Sequence, residues 1–175
     1  MGGKTSTGTV TLGTATPVGG VSIGQLSNYI AGDCSDDRHG RGEKKTTTFT
    51  VMTVGVSSQG SAARTATLGN TSKPAELTIT LATLSSLKVS HLSEADGSSA
   101  TGAVSLTGPA PTGGTVIRLA SNEPAASVPP TVIVPGGQTS TTFVASTTTA
   151  KVQTEVKISA RFGLTTKAGA LKAEL

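Results

Sequence analysis

Short runs of β-branched and small apolar residues alternate with Thr and Ser along the chain. That period of two is the pattern of strands with one buried face. Over residues 82–175 it predicts seven strands. Leu84–Ser90 comes first, with Leu84, Leu87 and Val89 inward. Ala103–Thr107 places Val104 and Leu106 inward, and Thr115–Ala120 places Val116 and either Ile117 or Leu119 there. Ser127–Val134 offers Val128, Val132 and Val134, and Thr141–Ser146 centres on Phe143. Glu155–Phe162 alternates Val156, Ile158, Ala160 and Phe162, and Ala170–Leu175 closes the set. Asp96-Gly97, Pro109-Ala110-Pro111, Gly113-Gly114, Pro129-Pro130 and Gly136-Gly137 punctuate the runs. Gly supplies positive φ and Pro cannot donate to a ladder, so both mark strand ends. No segment sustains apolar residues at i, i+3, i+4 and i+7, so almost no helix is expected. Seven short strands with regular turns predict an antiparallel sandwich.

The first half repeats the second at a constant spacing of 94, without a gap. Thr7-Gly8 answers Thr101-Gly102, and Val10 and Leu12 answer Val104 and Leu106. Pro17-Val18-Gly19-Gly20 answers Pro111-Thr112-Gly113-Gly114, and Thr47-Thr48-Phe49 answers Thr141-Thr142-Phe143. Gly69, Lys73, Leu77 and Leu81 answer Gly163, Lys167, Leu171 and Leu175. A repeat at fixed spacing predicts two copies of one module, over residues 1–81 and 82–175.

The order of motifs carries a resemblance. Leu84-Ser85-Ser86-Leu87-Lys88-Val89, Thr101-Gly102-Ala103-Val104-Ser105-Leu106, Pro109-Ala110-Pro111-Thr112-Gly113-Gly114, Val128-Pro129-Pro130-Thr131-Val132 and Thr141-Thr142-Phe143 follow one another as in bacterial immunoglobulin-like (Big-type) tandem repeats, which the chain resembles. Such repeats occur in large secreted, surface-attached or fibre-forming proteins. The resemblance implies two immunoglobulin-like sandwiches, an extracellular or cell-surface setting, copies of the chain or neighbouring repeats as partners, and no catalytic residues.

Two places depart from the repeat. The spacing sets Met1 opposite Ala95, so nothing in the first copy answers Leu84–Ser90. The first module is expected to have six strand segments and an open edge along Val10 and Leu12. Unpaired edges accept strands from other chains. One reading is that the chain starts inside a longer array. The other is that Leu84, Leu87 and Val89, or a strand like theirs, fill the edge in trans and link chains into a filament.

The second departure is the stretch from Tyr29 to Lys45. It holds Asp33-Cys34-Ser35-Asp36-Asp37-Arg38-His39-Gly40 where the second copy has a strand. Asp33, Cys34, Asp36, Asp37 and His39 are ligand types for zinc or a harder cation. A different origin is preferred. Codons for Cys34 to Gly40 read one nucleotide forward can give Val-Pro-Thr-Thr-Val-Thr-Val, in register with Val128-Pro129-Pro130-Thr131-Val132-Ile133-Val134. A compensated pair of frameshifts, in the gene or in the deduced sequence, accounts for that. Charges now fall on both faces, so the stretch should leave the sheet or form a solvated edge or loop.

Composition narrows the function. Net charge is +4 and the cations are scattered; aromatics are 2% of the chain and Trp is absent. A nucleic-acid groove or a carbohydrate-stacking platform would need clustered cations or exposed rings. Cys34 is alone, so no intrachain disulfide can form. No run of 18 apolar residues predicts a membrane span. His91 near Glu94 and Asp96 reads as a solvated strand end, Glu94-Ala95-Asp96-Gly97 as a turn with too few calcium ligands, and Asn70-Thr71-Ser72 as a turn. No cofactor, metal or enzymatic site is expected. The expected role is an extracellular structural spacer or fibre subunit joined by β-strand complementation. An adhesion module binding a glycan or a protein through its end loops is the alternative.

Overall fold

The structure, a computed structural model, describes residues 1–27, 38–40, 44–90, 99–147 and 154–173. These residues form fourteen strands and no helix. The chain divides into two compact units, Met1–Leu81 and Ala82–Leu175.

The second unit holds eight strands: β7 (Leu84–Val89), β8 (Ser99–Leu106), β9 (Thr115–Ser121), β10 (Ala126–Ser127), β11 (Thr131–Val134), β12 (Ser140–Thr147), β13 (Thr154–Phe162) and β14 (Thr165–Ala173). One sheet runs β10-β12-β8-β7 and the other β11-β9-β13-β14. Every pairing is antiparallel. This partition is that of an immunoglobulin-like sandwich. β7, β8, β12 and β10 take the A, B, E and D places, and β9, β13 and β14 take C, F and G, with β11 as an extra edge beside C.

Period-two alternation builds the core between the sheets. Leu84, Leu87, Val104, Leu106, Ile117, Leu119, Phe143, Val156 and Ile158 are buried together, and Ala100, Ala145 and Ala160 let the sheets approach. Val89, Val128, Val132 and Phe162 pack partly buried against them. Val116 points the other way, in contrast to the sequence expectation, and is 55% exposed. Ile117 and Leu119 both face inward, and neighbouring residues of a strand cannot share a face. Val116 pairs on the outer face with Ile133, also 55% exposed.

Three strand boundaries also differ from expectation. β8 starts at Ser99, not Ala103, because Ser99–Gly102 continue the ladder with β12. Ser127–Val134 is not one strand. Pro129-Pro130 offers no N–H donor, so the chain pairs with β12 over Ala126–Ser127 and then crosses to β9 over Thr131–Val134. The last strand starts at Thr165, not Ala170. A two-residue connection, Gly163-Leu164, lets pairing begin at Phe162 and Thr165. Gly163 has φ 57° there, which Gly adopts without strain.

The first unit holds β1 (Thr5–Thr11), β2 (Val21–Ser27), β3 (Arg38–Gly40), β4 (Thr46–Met52), β5 (Gly60–Leu68) and β6 (Thr71–Ile79). Its sheets run β1-β4 and β3-β2-β5-β6. Each pairing repeats its counterpart in the second unit at the same shift of 94. Thr5 pairs with Met52 as Ser99 pairs with Ser146, and Gly60 with Ile79 as Thr154 with Ala173. Val21 pairs with Gly40 as Thr115 pairs with Val134. The charged segment Arg38-His39-Gly40 therefore keeps a three-residue place at a sheet edge, where water reaches one side of the backbone. The core here is smaller: Ile23, Val51, Ala62 and Ile79 are its buried apolar residues among those described.

Candidate functional site: the open edge of the first unit

Among the described residues, β1 pairs with β4 alone, whereas its counterpart β8 lies between β12 and β7. The difference is visible in the side chains. Val104 and Leu106 are 0% and 6% exposed under the cover of β7. Val10 and Leu12, at the same places in the repeat, are half-buried. In the second unit Leu84 pairs with Leu106, Leu87 with Val104 and Val89 with Gly102. The equivalent outer edge in the first unit runs from Leu12 through Val10 to Gly8.

A hollow of about 470 Å³ opens beside this edge, between β1 and the strands β5 and β6. Val10, Leu12, Ile23 and Phe49 give it an apolar wall. The second unit shows what fills the matching space. A methyl group placed on Gly169 of β14 would lie 3.1 Å from Val89 Cγ2 and 3.6 Å from Leu87 Cγ. Those two side chains of β7 thus lie against β14. In the first unit the counterpart of Gly169 is Ala75, which is exposed and lines the hollow.

The edge strand is braced from its inner side. Phe49 lies across Gly8, and Phe143 lies across Gly102, in the same cross-strand pairing. A Cβ on either glycine would stand 2.1 Å from the ring Cζ, so only Gly fits beneath the ring. Leu12 N donates to Lys45 O at 2.7 Å, as Leu106 N donates to Thr139 O at 2.7 Å, which fixes the end of the strand.

Polar groups stand where the second unit is apolar. Gln25 occupies the place of Leu119 and Arg64 the place of Ile158, and both line the hollow. Arg64 is only 7% exposed. Gln25 Nε2 is buried and meets no hydrogen-bond acceptor among the described residues. Lys73 adds a second cation to the lining, which among the described residues contains no carboxylate. The Arg64 exchange is evident from the repeat alone. The Gln25 exchange carries the same signal, a polar residue opposite Leu119, and sequence reasoning missed it. Their convergence on one hollow needed the fold.

The other sequence candidates are not brought together. Leu84, Leu87 and Val89 belong to β7 and serve the second unit's own sandwich. Asp33, Cys34, Asp36 and Asp37 lie outside the described residues, as do His91, Glu94, Asp96 and Gly97. The backbone of His39 pairs with Ser22 in β3, and its side chain is outside the description. Among the described residues, no three His, Cys, Asp or Glu side chains are grouped to hold a metal ion. No described helix is long and apolar enough to cross a membrane. Asn70 sits in the two-residue turn between β5 and β6, after Gly69 at φ 57°.

No protein-family model matches the chain, and no curated protein matches it. Among solved structures, it is similar to domains 4 and 5 of the S-layer protein SbsC, at 18% identity and a TM-score of 0.35, over 86% of this chain and 70% of that one. It is similar to the BSP domain of a biofilm-associated protein, at 15% identity and a TM-score of 0.31, over 89% of this chain and 25% of that one. Bovine butyrophilin gives 10% identity and a TM-score of 0.37, over 99% of this chain and 92% of that one. At these scores the likenesses carry no argument, and the immunoglobulin-like assignment stands on the strand order itself.

Proposed function

We propose that the protein is an extracellular structural module, a repeat of a surface fibre or array, joined to its neighbour by a strand that enters the edge of β1. One observation carries the reading: Val10 and Leu12 are half-buried where Val104 and Leu106 are fully covered, beside a hollow of about 470 Å³. A strand added antiparallel to β1 would pair its open backbone groups and cover both side chains, as β7 does for β8. The donor comes from another copy or from a neighbouring repeat. A head-to-tail contact of this kind does not close on itself and propagates.

Light scattering across a concentration series, with electron micrographs of the same samples, tests the proposal. Mass that grows with concentration, or filaments, supports it. A strict monomer whose β1 is also indifferent to an added strand peptide counts against it.

A second reading has an observation of its own. The connection from Leu119 to Pro130 encloses an open hollow of about 460 Å³ in the second unit, lined in part by Ser121, Asn122, Glu123 and Ser127. A polar hollow between loops is where an adhesion module would hold a glycan or a peptide. Loss of glycan or cell binding on Asn122→Ala, with assembly intact, would favour it.

A further inference from the structure

Between β1 and β6 lies a slot whose floor is lined by residues of β2, β5 and β6, and it sorts its occupant by size at one place. We infer that the strand received along β1 carries a residue no larger than Ala opposite Gly8, with larger aliphatic residues opposite Val10 and Leu12. The inference rests on the strand-entry reading above and adds the chemistry of the occupant.

The second unit supplies the template. Val89 of β7 pairs with Gly102, the glycine that the Phe143 ring lies across. Directly opposed residues share a face, so the Val89 side chain stands on the ring's side of the sheet. Its other neighbour is Gly169 of β14, which faces inward because it pairs with the fully buried Ile158. A Cβ at residue 169 would lie 3.1 Å from Val89 Cγ2. Val89 therefore fits because residue 169 has no side chain.

The first unit keeps one wall of this place and moves the other. Phe49 lies across Gly8 as Phe143 lies across Gly102. The counterpart of Gly169 is Ala75, which pairs with Arg64 as Gly169 pairs with Ile158, so its methyl turns to the same side. Ala75 is exposed and lines the hollow. By the repeat, a valine entering at the place of Val89 would meet that methyl at 3.1 Å. Apolar carbons attract best at about 3.5–4.0 Å, so the pair is overpacked by roughly half an ångström. The Phe49 ring bounds the opposite side and limits retreat. A leucine at the place of Leu87 would stand at an ordinary 3.6 Å, and its carbonyl oxygen at 3.7 Å. The register of β7 can thus be kept, with one side chain changed. Ala in the last inward place removes both γ carbons and the overlap with them. The expected motif repeats the pattern of Leu84, Leu87 and Val89 with Ala in the third place. The slot discriminates against the chain's own β7 and favours a strand of a neighbouring repeat with that small residue.

A peptide series decides the matter. Peptides with the sequence of Leu81–Ser90, unaltered or carrying Val89→Ala or Val89→Ile, are titrated by calorimetry into the full chain and into its Ala75→Gly variant. On the unaltered chain affinity should fall with size. The Val89→Ala peptide is expected to bind about fivefold tighter than the unaltered one, and the Val89→Ile peptide weakest. Strand propensity favours Val and Ile over Ala, so it cannot produce that order. On the Ala75→Gly chain the preference for Ala should vanish or invert. The ranking on the unaltered chain carries the test even if that variant does not fold. Equal binding there, tighter binding of the unaltered peptide, or a preference for Ala that Ala75→Gly leaves intact overturns the size rule and leaves strand entry standing. Failure of all three peptides to bind either chain overturns strand entry itself, and the size rule with it.

Discussion

Val10 and Val104 occupy the same place in two copies of one module, so the same truncation should cost different amounts. Val104 is 0% exposed, pinned between β12 and β7. Val104→Ala removes two methyl groups, about 1.6 kcal/mol of transfer free energy at ~0.8 kcal/mol each. The void left under β7 cannot collapse fully and adds about 1 kcal/mol, for a total near 2.5 kcal/mol. Val10 is half-buried and borders an open hollow. Val10→Ala therefore loses about half the transfer term and creates no closed cavity, roughly 0.8 kcal/mol. Hydrogen exchange read by mass spectrometry on the dilute full chain gives each unit's opening free energy separately. A gap of about 1.5 kcal/mol between the two variants is expected, and it should narrow when a donor strand fills the slot. Equal losses in the dilute chain would refute the claim that β1 lacks cover.

The remaining predictions concern the brace, the floor of the slot, one turn and the origin of one segment. Gly8→Ala and Gly102→Ala each force a Cβ into the Phe49 or Phe143 ring and should cost about 1–3 kcal/mol in thermal or denaturant unfolding, equally in both units. Gln25→Leu replaces a buried amide nitrogen that has no acceptor among the described residues with the residue of the second unit, and should stabilise the first unit by about 1 kcal/mol in the same exchange experiment. Gly114→Ala should destabilise the second unit, because φ is 83° and the new Cβ would stand 2.8 Å from Val134 O; denaturant midpoints check it. A gene sequence incompatible with the shifted codons over residues 34–40 would end the frameshift account of that segment.

Much of the fold was legible because both the alternation and the repeat are strong. Leu84, Val104, Leu106, Phe143, Val156 and Ile158 declare their burial by period and by turn position. The repeat carried the pairing as well as the pattern, since every first-unit register recurs 94 residues later. Two adjacent apolar residues, Val116 and Ile117, defeated the face assignment, and only the fold, with Val116 paired outward to Ile133, decides it. Pro129-Pro130 signalled a break that hydrophobicity on both sides concealed. Arg38-His39-Gly40 has no strand pattern of its own and is recognised as a strand only by its pairing with Val21–Ile23 of β2. The open edge was legible from the missing counterpart of Leu84–Ser90. The character of the slot was not, because Gln25 on β2 and Arg64 on β5 meet only when the sheet forms.

Amide exchange along Gly8–Leu12, compared with Gly102–Leu106 before and after addition of a strand peptide, tests most directly whether β1 is a docking edge. Alternate β1 amides should exchange fast in the dilute chain and slow by at least about tenfold when the peptide is present, while β8 stays protected throughout. Fast exchange in β1 that no peptide or concentration slows, or β1 protection already equal to that of β8 in a dilute monomer, would contradict the account.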